Sequence, residues 1–272
     1  MRKLAIVFLV STSAAFSQDA SPDRVTVPFS DASRPKSLKA SLINGSITVR
    51  GYDGKDAIVE AVNGSGRPRR AERERSDGLR RIDIGGTGLA VEEADNVVTV
   101  GTRSVNENIS LSIQVPFNTS LKLHAVNGGN IIVDHITGDV EIDNTNGNAT
   151  VTHISGAAIV HALNGKVLVS FDKIAGDKPM SFSSLNGRID VTFPADTKAR
   201  LRLKTTNGSI FSDFDVKMEP DTTKPVVEDT RGRDGRYRIR LDRSAGVYGS
   251  INGGGPEYSF QTMNSTILIH KK

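Results

Sequence analysis

The chain has 272 residues, a formal net charge of +4 at pH 7 and no cysteine. Without cysteine it has no disulfide bonds, thiolate metal ligands, cysteine nucleophile or lipid-modified cysteine. The 26 glycines and the lack of tryptophan predict many short strands and turns around small core side chains.

Residues 1–17 are predicted to be a secretory signal peptide. The segment begins with basic Arg2 and Lys3, continues with an apolar run far too short to span a bilayer, and ends on Ala-Phe-Ser, a small-x-small cleavage site. Residues 18–272 would then be exported to the periplasm or the cell surface. No later stretch is long and apolar enough to cross a membrane, and a cysteine-free exported chain of this size fits a bacterial source.

An arginine-rich segment at residues 67–81, RPRRAERERSDGLRR, holds seven arginines and three acidic residues. It follows the Asn-Gly pair at Asn63 and lacks strand formers, so an irregular insertion is predicted near residues 64–81. Its excess positive charge would attract an anionic polymer. Arginine alternating with glutamate is, however, also typical of a solvated surface that pairs with itself.

Asn-Gly pairs punctuate the chain, and their flanking residues fall into columns. The residues three and five places after Asn, and four and six places before it, are mostly apolar, with mostly polar positions between them. This period of two predicts a half-buried β-strand on either side of each pair. From Asn127 to Asn207 the spacings are 19, 18, 22 and 21 residues, typical of a stacked repeat. The eight pairs begin at Asn44, Asn63, Asn127, Asn146, Asn164, Asn186, Asn207 and Asn252.

Two all-β architectures fit this pattern. An antiparallel β-meander would place Asn-Gly in hairpin turns, for which the pair is a strong signal. A parallel β-solenoid, or β-helix, would instead stack each pair as one corner of successive coils. We favour the solenoid because stacked Asn side chains about 4.8 Å apart can bond to one another, whereas Asp would repel, and Asp replaces Asn at none of the in-frame corners. The neighbouring glycine would permit a left-handed backbone. The predicted ladder comprises Asn44, Asn127, Asn146, Asn164, Asn186 and Asn207.

Four stretches of the chain resemble the bacterial "putative adhesin" β-solenoid family of exported or envelope-associated proteins. They read NGSITVRGYDG, ISLSIQVPFNTSLKLHAVNG, VNGGNIIVDHITGDVEIDNTNGNATVTHISG and LNGRIDVTFPADTKARLRLKTTNGSI, and the resemblance covers most of residues 36–272. It implies a right-handed parallel β-helix, an extracytoplasmic location and no established catalytic residues. These motifs are specific to the architecture and say little about activity.

Residues 18–272 are predicted to form a single domain with regular coils at 119–215. A second irregular insertion is expected near 216–235, and the overlapping segment 231–243 holds six arginines and two acidic residues. For an exported chain, we expect lipopolysaccharide, an acidic glycan or another protein as partner, rather than nucleic acid. The candidate anion-binding residues are Arg67, Arg69, Arg70, Arg73, Arg75, Arg80, Arg81, Arg236, Arg238 and Arg240.

Histidines recur at equivalent places in the repeat. The position three before Asn holds His124, Asp143 and His161 in successive repeats. Such a column could bind a divalent metal, but its first and third members would lie nearly two strand spacings apart, far for one tetrahedral ion. A solvated polar column without metal or other cofactor is therefore expected. His135 and His153 precede two equivalent Gly-containing turns, which inheritance of the repeat explains more simply than metal binding.

Paired carboxylates are the remaining catalytic candidates. Asp139, Glu141 and Asp143 share one strand face, and β-helix polysaccharide lyases and hydrolases use such pairs. This spacing is common on exposed strands, and no aromatic platform lies nearby to stack a sugar. The sequence therefore predicts a non-enzymatic, adhesin-like structural or binding module of the envelope. A carbohydrate-active β-helix enzyme and an extracytoplasmic sensor domain of an envelope-stress system remain the alternatives.

Overall fold

In the computed structural model, every regular element among the described residues is a β-strand. The predicted signal peptide at residues 1–17 and the whole first insertion at 64–81 lie outside these residues. The structure describes residues 23–63, 87–103, 107–174, 176–219, 227–231, 237–241 and 246–272.

Apart from the long strand β2, the strands are short, and they are numbered here in chain order. They are β1 (Asp23–Pro28), β2 (Lys36–Tyr52), β3 (Asp56–Asn63), β4 (Leu89–Ala94), β5 (Val97–Thr102), β6 (Ile109–Pro116), β7 (Thr119–Asn127), β8 (Ile131–Ile136), β9 (Val140–Asn146), β10 (Ala149–Ile154), β11 (Ala158–Ala162), β12 (Val167–Phe171), β13 (Met180–Ser184), β14 (Ile189–Phe193), β15 (Ala199–Thr205), β16 (Ile210–Ser212), β17 (Lys217–Glu219), β18 (Val227–Arg231), β19 (Tyr237–Leu241), β20 (Val247–Ile251), β21 (Glu257–Thr262) and β22 (Ile267–Lys271).

Each coil contributes one strand to each of two parallel stacks. Sheet I holds the strands before the Asn-Gly corner, in the order β5, β2, β7, β9, β11, β13, β21 and β15. Sheet II holds the strands after the corner, in the order β6, β2, β8, β10, β12, β14, β22 and β16. The long strand β2 belongs to both stacks and joins them into one unclosed sheet. The predicted parallel solenoid is confirmed, and the meander is wrong for these coils because their neighbouring strands run in the same direction.

The first and the last coil along the described chain each lie one place in from an end of the stack. Strand β2 lies between the β5–β6 coil and the β7–β8 coil. Likewise, the β21–β22 coil lies between the β13–β14 coil and the β15–β16 coil. Regular coils therefore extend beyond residues 119–215, and the order of coils in space differs from their order in the chain.

Antiparallel strands cover the ends of the stack. At one end β3 pairs with β6, β1 with β3, and β4 with β5. At the other end β20 pairs with β15, and β17 with β20. Covering the terminal coils in this way protects backbone groups that would otherwise pair with a second molecule. Strands β18 and β19 form a separate two-stranded sheet, partly within the predicted second insertion.

The core lies between the two sheets and is aliphatic in most coils. In the last coils it is aromatic, contrary to the expectation of small side chains throughout. Phe171 stacks on Phe193 with a centroid distance of 5.1 Å, and Phe193 stacks on Tyr258 at 5.4 Å. Phe182 of sheet I stacks on Phe260 at 5.1 Å. The chain has few aromatic residues, but these five buried rings are concentrated in one part of the stack.

Side-chain amides form a continuous hydrogen-bonded ladder along the Asn corner. The donor Nδ2 and acceptor Oδ1 pairs are Asn146 to Asn127 (3.4 Å), Asn164 to Asn146 (3.0 Å), Asn186 to Asn164 (2.8 Å), Asn264 to Asn186 (2.8 Å) and Asn207 to Asn264 (3.0 Å). Asn44 pairs with Asn127 through the strand register. Asn186 and Asn207 are therefore not neighbours, because the C-terminal coil places Asn264 between them.

The glycines of the corner are needed mainly because the coils approach closely. A Cβ added to Gly147 would lie 2.0 Å from the carbonyl oxygen of Gly129, and one added to Gly165 would lie 1.9 Å from that of Gly147. Side chains are thus excluded whatever the backbone angle. The expected left-handed backbone occurs at Gly45, Gly128 and Gly253 but not at Gly147, Gly165, Gly187 or Gly208.

A second polar column lies inside the same corner, two residues before the ladder position. The buried Asn144 donates through Nδ2 to the carbonyl of Gly129 at 3.0 Å, and the buried Ser184 hydroxyl donates to that of Gly165 at 3.0 Å. Thr262 bonds in the same way to Gly187, at 3.3 Å. These bonds satisfy corner carbonyls that the bend withdraws from water.

Gly147→Ala should destabilise the fold, because the new methyl group overlaps the carbonyl of Gly129. We expect the free energy of unfolding to fall by about 1–3 kcal/mol, as for other overpacking substitutions. Gly101→Ala is the control, since a Cβ there has nothing within 4 Å. Urea unfolding of both variants measures the difference, and equal stability would contradict the close approach of the coils.

Asn164→Asp should weaken the ladder. It removes the Nδ2 group that donates to Asn146 Oδ1, and it places a negative charge next to that oxygen. At pH 7 we expect a loss of about 1 kcal/mol in the free energy of unfolding. The loss should disappear below about pH 4, where the new carboxyl group is protonated and donates again. In the control Asn148→Asp, the side-chain oxygen still accepts the Lys166 amide at 2.9 Å. A similar pH-dependent loss in both variants would argue against the ladder.

Candidate functional site

The predicted anion-binding arginines are mostly outside the part of the chain that the structure describes. This applies to all seven candidates of the first segment and to Arg236. Arg238 and Arg240 lie in β19, where only the backbone is described. Their role in anion binding stays a prediction.

The predicted His124, Asp143 and His161 column occupies successive strands of sheet I in register. His124 Nδ1 lies 3.6 Å from Asp143 Oδ2. His161 instead bonds through Nδ1 to the hydroxyl of Ser183 in the next coil. The three side chains therefore divide between two partners instead of converging on one point.

The carboxylates considered for catalysis form exposed ion pairs with lysines. Asp139 Oδ2 lies 2.7 Å from Lys178 Nζ, and Glu141 Oε1 lies 2.7 Å from Lys122 Nζ. Both pairs lie on the open surface of sheet I, with roughly half of each side chain exposed. Their geometry is that of surface ion pairs, which contribute little stability.

Two other histidines share a single carboxylate on sheet II. His135 Nδ1 lies 2.9 Å from Asp134 Oδ2, and His153 Nδ1 lies 2.8 Å from Asp134 Oδ1. The imidazole rings stack with centroids 4.5 Å apart and an interplanar angle of 23°. The sequence interpretation attributed these histidines to repeat inheritance alone and missed the acidic residue between them.

An irregularity in the backbone places these three side chains on one surface. Consecutive strand residues normally point to opposite faces, yet Asp134 and His135 both point outward while Ile136 is buried. His135 and His153 have positive φ angles of 57° and 52°, which non-glycine residues rarely adopt. At His153 the register with β12 shifts, as expected for a bulge that redirects a side chain.

The surroundings of Asp134 stabilise its ionised form. Partial burial by itself would raise the pKa of Asp134, but hydrogen bonds from His153, His135 and Thr152 outweigh this effect and lower the pKa to about 2. The Thr152 hydroxyl donates to Oδ1 at 2.9 Å, and Arg50 Nε lies 3.7 Å from Oδ2. The carboxylate is therefore negatively charged at any physiological pH.

Two equivalent stretches of the sequence, VDHITG and VTHISG, contain a signal from which this group could have been predicted. In each, a polar residue and a histidine stand together where strict alternation would place an apolar residue, and the two histidines are 18 residues apart. Two polar residues in succession before an apolar one indicate a bulge. The coil spacing then stacks the two histidines.

The fifth histidine, His270, forms a second such group near the end of sheet II. Its Nδ1 lies 2.9 Å from Asp213 Oδ2, and its Nε2 lies 3.6 Å from Asp190 Oδ1. The His270 hydrogen bond is the main cause that lowers the pKa of Asp213 below its ordinary value, despite some opposing desolvation. The imidazole thus bridges carboxylates of two coils.

Replacing His270 should raise the pKa of Asp213. Because the folded-state pKa is below the unfolded value near 3.8, this carboxylate stabilises the fold above that pH, and the contribution is lost as the pH falls through the folded pKa. In His270→Ala, carboxyl NMR titration should give an Asp213 pKa close to the ordinary value. His124→Ala is the control and should leave it unchanged. An unaltered Asp213 pKa in His270→Ala would refute the bridge.

Two solved structures are similar to this chain. A crystal structure of a "putative cell adhesion protein" from Clostridium sporogenes matches with 11% identity and a TM-score of 0.48, covering 93% of this chain and 100% of that chain. One of a "putative adhesin" from Bacteroides fragilis matches with 11% identity and a TM-score of 0.39, covering 93% and 98%. No curated protein sequence matches the chain.

The described part of the chain contains no helix long and apolar enough to cross a membrane.

The family model that matches the sequence covers most of the solenoid. It spans residues 24–246, from β1 to the glycine before β20. The match includes both predicted insertions and all the ladder asparagines except Asn264. On this evidence the chain belongs to the Toastrack DUF4097 family.

Proposed function

We propose that the chain is an exported, non-enzymatic binding module of the bacterial envelope, with an adhesin-like role. Export is supported by the basic, apolar and small-residue segments at positions 1–17. A binding role is supported by the open, flat faces of the parallel stack. The lysine pairing of Asp139 and Glu141 supports a surface role for these carboxylates, in place of the acid and base of a hydrolase.

The observation that carries this proposal is an exposed apolar ridge beside the amide ladder on sheet I. Leu163, Leu185 and Met263 have exposed fractions of 47%, 37% and 45%. Their backbones are directly hydrogen-bonded, since Leu185 N donates to Leu163 O and Met263 N donates to Leu185 O. Contiguous exposed apolar side chains rimmed by polar residues are typical of interaction surfaces.

The ridge borders a shallow depression of mixed chemistry. Its lining includes the hydroxyl of Ser183, the amide of Gln261, the cation of Lys204 and the carboxylate of Asp143. Such a surface suits a ligand that combines apolar chains with anionic polar groups. Lipopolysaccharide has both features, and the arginine-rich segments of the sequence give the chain further positive charge that would attract it.

We expect the purified chain to bind immobilised lipopolysaccharide, measured by surface plasmon resonance. The triple substitution Leu163→Ser, Leu185→Ser and Met263→Ser should weaken binding at least tenfold, because it removes the apolar contact. Lys204→Gln should cause a smaller loss, which disappears at high salt because salt screens exposed charges.

The matched control is the double substitution Ile132→Ser and Leu168→Ser on sheet II. These side chains have similar exposed fractions, 40% and 38%, and the control should bind like the unaltered chain. Absence of binding by the unaltered chain would overturn lipopolysaccharide as the partner. Equal losses in the two sheets would overturn the ridge as the contact surface.

A further inference from the structure

We propose that Asp134, His135 and His153 form a binding site for a divalent transition-metal ion such as Zn²⁺. Each of the three residues offers one ligand atom, and these atoms all lie within 4.8 Å of one another. Two imidazoles and one carboxylate are a common ligand set for such ions. The site is separate from the ridge, since it lies on sheet II.

The three ligand atoms lie close together, and the two imidazoles would turn toward one point to accept an ion. Both Nδ1 atoms already point at the two oxygens of one carboxylate, at 2.8 and 2.9 Å. Ligands about 2.1 Å from a tetrahedral zinc ion lie roughly 3.4 Å from one another. To hold one ion, the two short nitrogen-to-oxygen distances would open by less than about 1 Å, and the other ligand-atom separations, all within 4.8 Å, would adjust to the same value.

The backbone conformation of His135 and His153 supports a role for this group beyond that of an ordinary surface ion pair. Both histidines adopt the left-handed region, which costs roughly 1–2 kcal/mol for a residue with a side chain. Gly51 of the adjacent coil accommodates this bend, since a Cβ there would lie 1.8 Å from the carbonyl oxygen of His135. Strained residues of this type cluster at ligand sites, and here two coils carry the same strain at stacked positions.

The charges around the site favour a cation, with one exception. Asp134 is ionised, and besides the two imidazoles and Arg50 it contacts the neutral hydroxyl of Thr152. Arg50 lies 3.7 Å from Oδ2, but 68% of its side chain is exposed, so it can swing into solvent when a metal binds. Each neutral imidazole would bind through an unprotonated Nδ1 while its Nε2 carries the proton. Three protein ligands leave one position open for water or for a partner's oxygen or nitrogen.

Isothermal titration of the full chain with Zn²⁺ at pH 7.5 tests this site. We expect one equivalent to bind, and His153→Gln and Asp134→Asn each to raise Kd at least tenfold. His124→Gln and His161→Gln are matched controls from sheet I and should change Kd less than twofold. Circular dichroism checks that each variant is folded.

A second measurement on the unaltered chain avoids any effect of substitution on folding. Added Co²⁺ should shift or broaden the imidazole NMR signals of His135 and His153 before those of His124, His161 and His270. The proposal is overturned if 1 mM Zn²⁺ does not bind. It is equally overturned if the sheet I variants lose as much affinity, or if Co²⁺ affects all five histidines alike.

Discussion

The structure depends on how closely successive coils approach at the Asn-Gly corner. The carbonyl oxygen of one coil occupies the space where the next coil would place a Cβ, as at Gly147 and Gly165. This contact permits one spacing and one register between coils. The outer amide ladder and the inner polar column both follow from it, because each bonds groups one coil apart. The columns on the open faces inherit the same register.

Intercalation of the two terminal coils adds a second constraint. Strand β2 and the β21–β22 coil each lie between coils that are distant from them in the chain. Neither end of the solenoid can form completely until remote segments have paired, and such long-range contacts slow folding. In return, the C-terminal strand β22 is held inside the stack, while antiparallel strands cover the outermost coils.

The two faces of the solenoid carry different chemistry on the same scaffold. Sheet I presents the apolar ridge and a depression with hydroxyl, amide and charged groups. Sheet II carries both groups in which imidazoles and carboxylates share hydrogen bonds. Fold alone does not imply function, and the family likewise defines an architecture. The functional proposals therefore depend on these particular side chains.

Local pattern in the sequence was sufficient for the strands and the in-frame Asn corners, because side-chain alternation and a fixed repeat length follow directly from strand geometry. It favoured parallel coils over a meander only through the choice of Asn at the corners, and the strand pairing decides between the two. Local pattern was insufficient where distant segments meet. The place of Asn264 between Asn186 and Asn207 depends on which coil the C-terminal segment joins. The meeting of Asp134 with His153 depends on stacking combined with a bulge. Only the tertiary structure decides these contacts, because they depend on the order of coils in space and on backbone angles that residue type does not fix.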